Sequence, residues 1–168
     1  MRGIDFAGVV LIAGFTSLTE LLPGYSIAGY APLLAPLKSS PALLRLFSNY
    51  IVDKWPSATR LANFVRLSER VRLFIIHARD DYEIPWTHAE GLFAAAANAT
   101  TDGGMDLGLL QKMKARTTID MGDGAFISTW KAGGNKIIRE EVVAYGREIP
   151  LASRFTKLTD NCQITAGF

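Results

Sequence analysis

Four polar side chains that could take part in acid–base chemistry lie close together near the middle of the chain. They are His77, Arg79, Asp80 and Asp81, and Pro85 follows them and fixes the backbone torsion φ. A carboxylate in such a loop can orient a histidine that acts as a base. This loop is therefore the first candidate for a functional site.

The elements on either side of the loop predict where its polar groups lie. The run from Val71 to Ile76 is apolar apart from Arg72, which predicts a strand buried on both faces of a sheet. Thr87 is the expected cap of a helix that runs on through Ala96. A strand, a polar loop and a helix form half of a βαβ unit, in which functional groups lie just beyond the carboxyl end of the strand.

The loop also resembles a known motif. In the acid loop of α/β-hydrolases a strand ends in His or Gly and is soon followed by Asp-x-x-Val/Ile-Pro, and Asp81 to Pro85 match this pattern. Over roughly residues 4 to 145 the chain is similar to the C-terminal half of fungal serine hydrolases related to monoacylglycerol and lysophospholipid lipases. The resemblance implies that Asp81 is the carboxylate of a Ser–Asp–His triad that hydrolyses carboxylic or lipid esters.

Asp81 also has a simpler interpretation. Asp80 or Asp81 could end the strand and cap the turn before Pro85, a common role for aspartate. The resemblance favours Asp81 as the triad acid, because Asp80 lies five residues before the proline rather than four. We expect the Asp80 side chain to point away along the turn.

The other two members of a triad are absent from the sequence. There is no G-x-S-x-G, and Ser26 is rejected because Gly24–Gly29 holds one residue too many and follows Leu-Leu-Pro rather than a strand. No histidine follows His88, and Gly146 precedes Arg147 where the family has Gly-His. The expectation is a C-terminal hydrolase fragment that begins beyond the nucleophile and is inactive as written.

The two histidines and the glycines predict no further site. His77 is expected in the core with its ring nitrogens hydrogen-bonded, and His88 is expected to face solvent from the first turn of a helix. No His, Cys and carboxylate cluster has metal-ligand spacing, so no metal is predicted. No glycine-rich phosphate loop follows a strand, so no nucleotide cofactor is predicted.

The remaining segments complete an α/β pattern. Residues 8–14 predict a central strand, preferred over a signal peptide because Asp5 interrupts the basic start. Residues 137–145 favour a final strand over a helix, and an Asp-Gly turn inside residues 117–130 predicts a hairpin. A helix is expected over residues 105–114.

Residues 16–65 contain five prolines and predict a string of short helices, two of them capped by Ser40 and Ser57. By resemblance this segment is a lid-like insert over the substrate site. Its apolar side chains suit an acyl ligand or an ordinary packed core, and the packed core is the preferred interpretation. They are Leu33, Leu34, Leu37, Leu43, Leu44, Phe47 and Ile51.

The predicted fold class is therefore α/β: a partial α/β-hydrolase sheet of about three parallel strands plus a hairpin. Residues 1–146 form the domain, and residues 147–168 form an atypical tail without clear amphipathic periodicity. Apolar residues make up 49% of the chain and the net charge is +2 with scattered basic residues, which is typical of a globular protein and gives no support for nucleic-acid binding.

The expected partner is a small-molecule or lipid ester once the site is complete. No run is apolar enough for a transmembrane segment, and the resemblance leaves an intracellular and a membrane-associated location open. The alternative function is a non-catalytic α/β module that associates with itself or a partner through an open sheet edge beside residues 9–13.

Overall fold

The computed structural model describes residues 8–22, 40–133 and 135–146, which form a five-stranded mixed sheet with helices. The predicted α/β class is confirmed. The tail at 147–168, Ser26, and the leucines at 33, 34 and 37 lie outside the described residues.

The elements follow in chain order. They are β1 (Val9–Ile12), α1 (Leu18–Leu21), α2 (Pro41–Tyr50), α3 (Ser57–Leu67), β2 (Val71–Ala78), α4 (Thr87–Asn98), α5 (Leu107–Thr117), β3 (Thr118–Gly122), β4 (Ala125–Ala132) and β5 (Lys136–Val143).

The sheet has the order β1-β2-β5-β4-β3. Strands β1, β2 and β5 are parallel, whereas β3 and β4 form an antiparallel hairpin that adds to β5. The three parallel strands and the hairpin are present as expected. Strand β5 is the last of the described strands along the chain but is central in the sheet, because it pairs with β2 on one side and β4 on the other.

Helices cover one face of this sheet. Val71, Leu73 and Ile75 of β2 are buried there in one core with residues of α3, α4 and α5, and this core also includes Phe93 and Ile138. Burial of this apolar surface is the main term that stabilises the layered arrangement.

The expectation that β2 is buried on both faces is wrong for the described residues. Arg72 is exposed, and Phe74 and Ile76 are only half-buried. Side chains alternate between the faces of a strand, and α3, α4 and α5 share their core with one face of β2. The apolar run in the sequence therefore did not show whether one face of the strand is buried or both.

Strand β1 was expected to be central, and this is also wrong. It pairs with β2 alone among the described strands, its first three residues are half-buried, and Ile12 is 45% exposed. It therefore lies at the edge of the described sheet, a position that leaves backbone groups available for pairing.

Helix starts are partly as predicted. Ser40 caps α2 by accepting a hydrogen bond from the Leu43 amide at 3.4 Å. Ser57 and Thr87 are instead the first helical residues, preceded by Pro56 and Trp86, and neither N-cap makes a side-chain hydrogen bond. Helix α5 begins at Leu107, two residues later than predicted, because Asp106 caps it.

The apolar residues of the predicted insert do not all form a packed core. Leu43 is exposed and Ile51 is half-buried, so for Leu43 the preferred interpretation is wrong. Among the described ranges, none of the helices combines the length and the hydropathy that a membrane span requires.

Candidate functional site

A cleft of about 330 Å³ opens at the carboxyl edge of the parallel strands. Ile12 and Ala13 line it from the end of β1, and Gly146 lines it from the segment after β5. The loop after β2 contributes Asp80 and Asp81. The loop identified from the sequence therefore lies where parallel α/β sheets place their functional groups.

Asp81 organises its own loop. Its Oδ1 accepts hydrogen bonds from the amides of Glu83 at 3.0 Å and Ile84 at 2.9 Å. This is the turn-capping role that the sequence allowed for aspartate. Oδ2 accepts no hydrogen bond from the described residues and lies 3.6 Å from His77 Nε2. The side chain is 23% exposed, so one oxygen is fixed by the backbone while the carboxylate remains open to the cleft.

Asp80 does not point away along the turn as expected. Its Oδ1 accepts a hydrogen bond from the Gly146 amide at 2.7 Å. The backbone reinforces this link, because the Arg79 amide donates to the Val143 carbonyl at 2.8 Å. The loop after β2 is therefore tied to the end of β5.

Arg79 has a structural position outside the cleft lining. Its Nη1 donates to the Gly124 carbonyl at 3.0 Å, and its guanidinium lies 4.7 Å from the centre of the Trp86 ring. The side chain thereby links the β3–β4 turn to the start of α4. Its charge is used in these contacts rather than in the candidate site.

His77 lies in the core as predicted, with no exposed surface. Its Nε2 lies 2.7 Å from the Ile84 carbonyl oxygen, and a carbonyl only accepts, so Nε2 carries the hydrogen. Nδ1 has no hydrogen-bond partner among the described residues. The expectation of a fully satisfied histidine is therefore wrong for one of its two ring nitrogens.

His88 was expected to face solvent, and it is instead half-buried. Thr16 Oγ1 donates to Glu20 Oε2, so His88 Nδ1, 2.9 Å from the same hydroxyl, must donate to it. Burial lowers the pKa of His88. The charge of Glu20 opposes this shift, and the charge of His77 adds to it. No local pattern predicted this contact, because Thr16 and His88 are 72 residues apart.

A buried ion-pair cluster on the helix-covered face was also missed. Lys114 of α5 places Nζ 2.6 Å from Oε2 of the fully buried Glu140 and 3.1 Å from Oε1 of Glu90. The ammonium also lies 5.1 Å and 5.3 Å from the rings of Phe93 and Phe126.

Within this cluster, Glu140 Oε2 is paired with the Lys114 ammonium, whereas Oε1 has no hydrogen-bond partner among the described residues. Burial raises the pKa of Glu140, and Lys114 acts in the opposite direction. These residues are absent from the cleft lining, so we interpret them as part of the packing of α5 on the sheet.

In the described ranges, no three His, Cys, Asp or Glu side chains are grouped so that they could hold a metal ion. No family model, curated protein or solved structure matches this chain. The α/β-hydrolase resemblance therefore stays a prediction that rests on the loop and its flanking elements.

Proposed function

We propose that this chain carries the acid of a serine-hydrolase site that acts on carboxylic or lipid esters, and that Asp81 is this acid. The observation that carries the proposal is the position of the Asp81 carboxylate. It lines a cleft at the carboxyl edge of three parallel strands, with one oxygen held by two backbone amides.

The chemistry assigned to Asp81 follows from this arrangement. With Oδ1 held by the amides of Glu83 and Ile84, Oδ2 can accept a hydrogen bond from Nδ1 of a catalytic imidazole. That bond selects the tautomer whose Nε2 takes the proton of the serine, and it stabilises the imidazolium that forms. A carboxylate fixed by its own turn loses little conformational freedom when it does this.

The remaining groups of the reaction must be supplied to this chain. Its 168 residues hold no G-x-S-x-G and no histidine after His88. The proposal therefore includes that the chain alone does not hydrolyse esters, and that further polypeptide provides the nucleophile and the base. It assigns the ester class and leaves the acyl group unassigned.

The first test is an assay of the purified chain with short p-nitrophenyl esters and a serine-directed fluorophosphonate. No turnover above the spontaneous rate and no labelling are expected. Turnover that the fluorophosphonate abolishes would show that the chain carries its own nucleophile and would contradict the proposal.

The second test reads the genomic DNA on both sides of the coding sequence. The proposal expects a G-x-S-x-G segment upstream and a Gly-His after the β5 region, and ester hydrolysis by the longer polypeptide that includes them. Absence of both segments, or a longer polypeptide without hydrolase activity, would favour the second candidate.

The second candidate is a non-catalytic α/β module that pairs through the edge of its sheet. Strand β1 supports it, because its outer side pairs with no described strand and Ile12 is 45% exposed. Sedimentation analysis of the longer polypeptide separates the two candidates: dimerisation through β1, without any hydrolase activity of that polypeptide, would favour the module.

A further inference from the structure

His77 makes contacts that an ordinary core residue would not need. Its ring has no exposed surface, yet it lies at the end of β2 and lines the cleft beside Asp81. Nε2–H donates to the Ile84 carbonyl at 2.7 Å and lies 3.6 Å from Asp81 Oδ2. Nδ1 has no hydrogen-bond partner in the described part of the chain.

The energetic cost of burying this ring indicates the role of His77. A buried polar atom without a hydrogen-bond partner destabilises the fold, whereas leucine or phenylalanine would fill the same space without burying such an atom. The polar contacts that the imidazole makes with described residues both come from Nε2–H and are both directed at the Asp81 loop. The imidazole therefore stabilises that loop, whereas an apolar side chain would stabilise the core better.

Two hydrogen bonds hold the backbone of Ile84, one through its amide and one through its carbonyl group. The Ile84 amide donates to Asp81 Oδ1, and the Ile84 carbonyl accepts from His77. Since Pro85 follows and restricts the backbone, residue 84 has little freedom to move away from either partner. The orientation of the Asp81 carboxylate then depends on the anchor at His77.

We propose that His77 is the positioning residue of the Asp81 loop, because its Nε2–H anchors the Ile84 carbonyl and thereby fixes the direction of the Asp81 carboxylate. The proposal rests on the proposed function in one respect: the carboxylate being positioned is the triad acid. The anchor itself is a property of this chain and can be measured without any catalytic activity.

Three variants test the anchor. His77→Gln keeps an N–H donor at about the reach of Nε2, His77→Asn places its donor near Nδ1 instead, and His77→Leu removes the donor while filling most of the space. The readout is amide hydrogen exchange at Glu83 and Ile84, whose N–H groups donate to Asp81 Oδ1. The Ile75 and Ile138 amides report exchange in the core strands for comparison.

The expected result is local. His77→Leu and His77→Asn should speed exchange at Glu83 and Ile84 by about tenfold relative to the core amides, the effect of losing roughly one hydrogen bond. His77→Gln should restore most of the protection. Because Gln and Asn are both polar amides, their comparison holds even if His77→Leu does not fold.

Two results would overturn the proposal. One is exchange at Glu83 and Ile84 that changes only in proportion to the core amides, which would mark His77 as an ordinary core residue. The other is equal protection in His77→Gln and His77→Asn. In a completed hydrolase, His77→Asn should lower kcat with little change in KM; altered exchange with no kinetic effect would keep the anchor and reject Asp81 as the triad acid.

Discussion

The Asp80 carboxylate accepts a hydrogen bond from the Gly146 amide at 2.7 Å. This contact joins the loop after β2 to the segment after β5, where the resemblance places the histidine of a hydrolase. Asp81 meanwhile caps its own turn and presents its second oxygen beside His77. Two adjacent carboxylates therefore have different partners and should respond differently to substitution.

The first prediction compares these carboxylates in a chain completed with a serine elbow and a Gly-His. Asp81→Asn should lower kcat by about 10⁴, because the amide favours the wrong imidazole tautomer. Asp80→Asn keeps an oxygen that can accept from Gly146, so its effect on kcat should be far smaller.

Steady-state kinetics of both variants, with folding checked by circular dichroism, decide this comparison. A larger loss of kcat in Asp80→Asn, or no loss in either variant, would reject Asp81 as the acid. Asp80→Ala is the matched structural variant, and it should lower the free energy of unfolding by about 1 kcal/mol through loss of the Gly146 contact.

The second prediction concerns the pH dependence of stability at Glu140. Burial raises its pKa above the ordinary value of 4.5. At pH values between 4.5 and the raised pKa, the folded chain therefore keeps a proton that the unfolded chain releases. The contribution to stability is present below the ordinary value and is lost as pH rises through the raised pKa.

Urea unfolding over a series of buffers from acidic to neutral pH measures this contribution as the difference between the native chain and Glu140→Gln. As pH rises, the free energy of unfolding of the native chain should fall relative to that of Glu140→Gln. Glu90→Gln is the control, since Glu90 contacts the same Lys114 but is 42% exposed. A pH-independent difference for Glu140→Gln would contradict the prediction.

The third prediction separates two glycines of the β3–β4 turn. Gly122 and Gly124 have φ of 83° and 76°, so alanine at either position should destabilise the fold by about 1–2 kcal/mol. A Cβ at Gly124 would also meet Arg79 at 2.9 Å, whereas nothing lies within 4 Å of one at Gly122. Gly124→Ala should therefore have the lower midpoint in thermal unfolding. Equal midpoints would show that the Arg79 side chain moves aside without a measurable loss of stability.

The fourth prediction concerns association through β1. Edge strands promote pairing between chains, and Ile12 is exposed on this one. The purified chain should self-associate and bind a hydrophobic dye, and Ile12→Lys should reduce the association. Leu46→Lys on α2 is the control: Leu46 is 55% exposed but belongs to no strand, so this change should reduce dye binding without altering the sedimentation profile. A monodisperse native chain with a sharp cooperative melt would contradict the prediction.

Local sequence signals predicted much of the fold. The apolar run at 71–76 and the Asp-Gly turn identified β2 and the hairpin, because both depend on neighbouring residues. The edge position of β1 was not predictable in this way, because it depends on which strands pair with it. The same holds for His88 and Glu140, whose partners Thr16 and Lys114 are distant in sequence. In the candidate site the motif located Asp81, whereas the contact of Asp80 with Gly146 required the fold.

The central place of β5 has a consequence for synthesis on the ribosome. Val71 of β2 pairs with Lys136, so β2 emerges well before the strand that completes its parallel pairing on that side. At usual translation rates of about 5–20 residues per second, this side of β2 stays unpaired for several seconds. Among the described strands, the hairpin joins β1 and β2 only through β5. The nascent chain therefore passes through a long-lived stage with an open strand edge, in which binding by chaperones or premature pairing competes with folding.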